Sequence, residues 1–73
     1  MDFVVDKSFV NTEKLVGIVF YSKSVDKDIA LLGIVIGVDY EEKYILFATI
    51  KQIQRIEFSD IRSLKKTDKV KVD

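Results

Sequence analysis

The chain has 73 residues, with twelve basic and twelve acidic side chains and no histidine, cysteine, tryptophan or proline. These absences exclude Ser-His-Asp and Cys-His catalysis, thiolate chemistry, disulfides and zinc sites, and they leave only carboxylates, lysines, tyrosines and hydroxyls to do chemistry. The length fits one domain over residues 1–73, and a chain this short buries only about 60% of its unfolded surface, so idealised packing or self-association must supplement a thin core.

Ten Val, nine Ile and three Thr stand against five Leu and two Ala. Branching at Cβ costs rotamer freedom in a helix and suits a pleated surface, so the composition predicts an all-β fold. Met1-Asp2-Phe3-Val4-Val5-Asp6-Lys7 lacks the basic and apolar regions of a secretory leader, which makes a cytoplasmic location the expectation. Residues 3–10 read as a weak strand and 11–14 as a polar turn or single helical turn. Residues 15–21 follow as a strand with apolar side chains on both faces.

Residues 22–28 form a polar connection, and 29–40 form the longest strand. Its apolar run Ile29 to Val38 is ten residues long, about half of a helical membrane span, so a buried strand and no membrane association are expected. Gly33 and Gly37 within it mark a bend, a bulge or a close backbone approach. An alternative places a short helix over 24–32, with Ser24 as its cap. Tyr40-Glu41-Glu42-Lys43 turns the chain into a strand at 44–50. From 51 to 58, Gln52, Gln54, Ile56 and Phe58 fall on one face and Ile53, Arg55 and Glu57 on the other, so apolar and polar residues mix on each face as at a sheet margin. Ser59-Asp60 makes a turn, 61–64 is a last short strand that closes a barrel, and 65–73 is a frayed tail or extra edge strand. Five or six antiparallel strands without room for crossover helices predict a small barrel of the SH3-like or Sm-like kind.

From Leu15 to Leu64 the order of features resembles the YolD-like family of small Sm-like or SH3-like barrels from Gram-positive bacteria and their phages. The resemblance is carried by Val19-Phe20-Tyr21, by Gly33-Ile34-Val35-Ile36-Gly37-Val38-Asp39 before a charged turn, by Lys43-Tyr44-Ile45-Leu46, and by Ile56-Glu57-Phe58-Ser59-Asp60-Ile61. It implies an accessory protein without catalysis.

The neutral total hides a polarity: residues 1–50 carry five basic and eight acidic side chains (−3), and residues 51–73 carry seven basic and four acidic (+3). Arg55, Arg62, Lys65 and Lys66 are therefore candidates for binding an acidic protein partner, and nucleic acid is the alternative ligand of this basic third. Asp26-Lys27-Asp28 places a cation between two carboxylates and lacks a calcium loop's glycine. Lys66-Thr67 has no phosphate-cradling glycines before it. No metal, cofactor or catalytic residue is expected. Surplus hydrophobicity is the strongest positive feature. Two strands are apolar on both faces while a barrel has one interior, so Val16, Ile18 and Phe20 are the candidate assembly surface of a homo-oligomer. A small anionic ligand held between subunits is a further alternative.

Overall fold

The computed structural model describes residues 3–70. Five antiparallel strands, β1 (Lys14–Ser22), β2 (Lys27–Asp39), β3 (Tyr44–Ala48), β4 (Ile53–Glu57) and β5 (Ile61–Val70), form one sheet in the order β4-β3-β2-β1-β5. The all-β, mainly antiparallel expectation is thus met, with five strands. No helix among the described residues is long and apolar enough to cross a membrane.

The thirteen-residue β2 organises the sheet. Its first half pairs with β1 from Ser22↔Lys27 to Val16↔Gly33, and its second half pairs with β3 from Ile34↔Ala48 to Asp39↔Tyr44. The handover falls at Gly33, and a register shift between Val35 and Gly37 adds a bulge. The bend folds the β1–β5 half over the β3–β4 half, as the two glycines foretold. A Cβ on Gly33 would lie 2.1 Å from the Ala48 carbonyl oxygen, so β2 can approach β3 this closely only without a side chain there.

The enclosed core comprises Val16, Ile18 and Phe20 of β1, Val35 of β2, Ile45 and Phe47 of β3, Ile56 of β4, and Phe58, Ile61 and Leu64 around the last turn. Alternation along each strand sends these residues inward and their neighbours outward. Of the two mixed faces of this strand, the one with Ile56 and Phe58 turns inward, and Ile53 and Arg55 are exposed on the opposite face.

One expectation is corrected and the alternatives left open elsewhere are decided. Residues 3–10 are not a strand: the Asp6 carboxylate accepts from the Ser8 amide at 2.8 Å and starts a 3₁₀ turn over Lys7–Phe9. This segment ends in a parallel bridge from Val10 to Val35 and drives Val5 into the core. No helix forms at 11–14 or 24–32. Asn11 and Asp26 both take left-handed backbone angles (φ 53 and 55), and residues 27–32 are held in the β1 ladder. Of the two readings for 65–73, residues 65–70 take the edge strand and not the frayed tail, continuing β5 from Gly17↔Lys65 to Lys14↔Val70, while 71–73 lie outside the described residues. Thr67 fixes this polar stretch, its hydroxyl donating to the Leu15 carbonyl at 2.7 Å across a bulge.

Closure of the barrel also differs from expectation. Among the described residues no ladder joins β4 to β5. They are connected by a second 3₁₀ turn, Phe58–Asp60, and Phe58 and Ile61 fill the seam from inside. The Tyr40 ring meets Phe58 edge-on at 6.0 Å, and its hydroxyl donates to the Val5 carbonyl at 2.6 Å, tying the N-terminal segment to this end of the core.

Candidate functional site

Val16, Ile18 and Phe20 cannot be the assembly surface: they are 0%, 1% and 5% exposed and belong to the core. The surplus hydrophobicity lies on the other face of the same strands. Register places outward-facing Gly17 beside Leu32 and Val19 beside Ala30, and further along the sheet Ile34, Ala48 and Ile53 stand in one cross-strand row. Both rows of β1 are apolar, so periodicity alone could not choose between them. The bulkier row went inside, and the row containing Gly17 and Tyr21 went out.

Two hollows indent this outer face. One of about 450 Å³ is walled by Leu15, Leu32, Ile34, Ile36, Ala48 and Ile50, and a second of about 630 Å³ lies over Gly17 and Ala30 with Lys65 and Thr67 on its rim. Leu32 is common to both, so the apolar surface is continuous from β3 across β2 to β1. Its prominence is Ile50, 102% exposed at the tip of the β3–β4 turn. That turn is fixed by the Thr49 amide donating to the Gln52 carbonyl at 2.9 Å, while the Thr49 hydroxyl accepts from the Lys51 and Gln52 amides. Ile50 is therefore held outward by its neighbours' hydrogen bonds, and no covering partner for it exists within the chain's described part. Leu32, Ile36, Leu46 and Ile53 are likewise exposed large hydrophobes.

The four basic candidates do not form one strip. Arg55 is on β4, its guanidinium 3.9 Å above the Tyr44 ring and 3.1 Å from the Glu57 carboxylate, which together hold it in its charged form. Arg62 is on β5 at the opposite end of the strand order, 3.4 Å from Asp28 and 5.7 Å from the Tyr21 ring centre. Lys65 and Lys66 are adjacent on an extended strand and pair with outward Gly17 and inward Val16, so they leave the sheet on opposite sides. Lys66 reaches the Phe9 ring at 5.3 Å.

A third depression, about 300 Å³, lies between the end of β1 and β4 and is lined by Tyr21, Lys23, Arg55, Glu57 and Asp60 among others. Lys23 and Asp60 pair across it at 3.6 Å. The hydroxyl of Tyr21 donates to the Asp26 carboxylate, and this bond raises the Tyr21 pKa above its ordinary value of 10.0. A raised folded-state value means that the bond's contribution is fully present below pH 10 and is lost as pH rises through the folded pKa. Alkaline titration followed by tyrosine absorbance or NMR should place Tyr21 above 10.0, and Asp26→Asn should bring it down. An unchanged Tyr21 titration in that variant would show that the bond does not persist in solution.

Comparison with protein-family models, with curated proteins and with solved structures gave no match to this chain.

Proposed function

We propose that the protein acts by binding rather than by catalysis, and that it self-associates through the outer face of its sheet. The observation that carries this reading is the continuous apolar surface over β1, β2 and β3, with Leu32, Ile36, Leu46, Ile50 and Ile53 exposed on and beside it. These five side chains together offer on the order of 500 Å² of apolar area, at the upper end of what a monomer's surface leaves uncovered. A stable interface buries about 800 Å² per partner, so the patch and its polar rim approach the size of a complete subunit contact. The thin core supports the same reading, because anything that binds only the folded form stabilises it. The resemblance to the YolD-like family adds an accessory, non-catalytic role.

Sedimentation velocity at micromolar concentration should give a species heavier than the 8.4 kDa chain. Ile50→Asp should return it to monomer without changing the monomer's unfolding free energy, read from urea titration, by more than about 0.5 kcal/mol, since Ile50 is fully exposed. A wild-type protein that sediments as a monomer throughout would end this reading.

A further inference from the structure

β4 is the last strand of the sheet and has a ladder only to β3. Two bonds bracket that ladder, Thr49 amide to Gln52 carbonyl and Phe58 amide to Lys43 carbonyl, and between them the pairing is regular at all five residues. Antiparallel strands alternate hydrogen-bonded and non-hydrogen-bonded pairs. Gln54 and Ile56 therefore turn their backbone groups towards β3, and Ile53, Arg55 and Glu57 turn theirs to the other side, which borders the depression shared with Tyr21 and Lys23. No backbone bond to another segment satisfies these groups among the described residues.

The opposite edge is different. β5 is interrupted by register shifts beside Val19/Phe20 and Lys14/Val16, and it carries Lys65, Lys66 and Lys69. Bulges and lysines are the usual means by which an edge is kept from pairing. β4 has neither.

The side chains of β4 then specify what can pair with it. Arg55 and Glu57 lie two residues apart on the outer face, 3.1 Å from each other, with Arg55 fixed over Tyr44. A plus and a minus at such spacing complement their own copy. When a second β4 runs antiparallel about a two-fold axis at Ile56, each Arg55 faces Glu57 of the second copy, and the four charges alternate in sign around a square. Shifting the axis to Arg55 would oppose two arginines, and directly opposed like charges are unfavourable.

We infer that β4 pairs edge to edge with β4 of a second copy in the register Arg55↔Glu57, joining two five-stranded sheets into one. This inference rests on the self-association reading and adds to the outer-face contact a second one, along the sheet edge. Backbone groups of Arg55 and Glu57 supply the bonds, and the outer faces of the two sheets meet along these four charged side chains.

Charge reversal tests it. Arg55→Glu and Glu57→Arg should each weaken self-association about tenfold or more, because each sets like charges opposite one another at both ends of the pairing. An equimolar mixture of the two variants should recover it as a heterodimer, seen by native mass spectrometry of a mass-tagged chain, and the Arg55→Glu/Glu57→Arg double variant should recover it as a homodimer. In the wild type, amide exchange at Arg55 and Glu57 should slow with rising protein concentration, a readout that does not depend on any variant folding. Concentration-independent exchange at both amides, single variants that associate like wild type, or a mixture of folded variants that stays monomeric would overturn the pairing. If Ile50→Asp abolishes association while Arg55→Glu does not, the edge pairing falls and the outer-face reading stands. A monomeric wild type ends both.

Discussion

A Gly33→Ala variant is expected to lose about 3 kcal/mol of stability, the upper part of the usual range for inserting a methyl group into a close-packed site. The added carbon would stand 2.1 Å from the Ala48 carbonyl oxygen and 2.9 Å from Phe47 Cε2. The ring can move, but the carbonyl belongs to the β3 backbone at the point where β2 passes from one half of the sheet to the other. Relief requires the two strands to separate, which loosens pairings on either side. Shrinking the ring should therefore not rescue the variant: Gly33→Ala with Phe47→Leu should be no more stable than Gly33→Ala alone. Gly37→Ala is the control. Nothing lies within 4 Å of a Cβ there and its φ is not positive, so alanine should leave stability unchanged or raise it by up to about 1 kcal/mol through the unfolded chain. Urea midpoints of the three variants decide the matter. Equal effects at positions 33 and 37 would mean that the close approach of β2 to β3 is absent in solution.

Phe47→Ala should cost about 3–5 kcal/mol, the loss of a large buried side chain plus the cavity left behind. Phe47 is fully enclosed on β3, between β2 and β4, and is the largest of the completely buried side chains. Native domains hold roughly 0.05–0.15 kcal/mol per residue, so a chain of this length has only about 4–11 kcal/mol to lose. The variant should lose a large share of that stability, and circular dichroism with urea titration would show it. Leu46, the adjacent residue, points outwards and is exposed. Its replacement by serine should change the stability of the monomer by less than about 1 kcal/mol while weakening self-association. The opposite ranking of these neighbours would reverse the assignment of inner and outer faces.

Much of the fold was legible because β-branched and aromatic runs with polar interruptions translate directly into strands and turns. The strand over 15–21, the long strand read over 29–40 and found over Lys27–Asp39, and the hairpin through Tyr40 to Lys43 all emerge from that pattern. Residues 65–70 stayed open between a frayed tail and an edge strand, since Lys65, Lys66, Asp68 and Lys69 carry no apolar alternation. Backbone pairing with β1 and the Thr67 hydroxyl hold them in the strand. The N-terminal segment was misread for the converse reason. Phe3, Val5 and Phe9 are apolar enough for a strand, but they contribute by capping the core from a 3₁₀ turn. The surface was half legible. An excess of apolar side chains is a property of composition, but the face on which it appears depends on which parity of β1 turns inwards, and Leu15 and Val19 are as apolar as Val16 and Ile18. Basic residues that looked contiguous along the chain separate in space because a strand sends neighbours to opposite sides.

The pairing of β1 with β5 bears on how fast the molecule can form. The other three ladders join strands that follow one another, each closed by a short turn, whereas Phe20↔Ile61 and Lys14↔Val70 bring together residues from the two ends of the described chain. Entropy of loop closure must be met before such a contact gives anything back, and topologies rich in these contacts fold on the millisecond-to-second scale. Hairpins β1–β2, β2–β3 and β3–β4 are the inexpensive steps, and docking of β5 is the search that sets the clock. Until it docks, β1 has an unpaired edge beside Val16 and Ile18, so the interval before β5 arrives is when this chain is most exposed to pairing with the wrong neighbour.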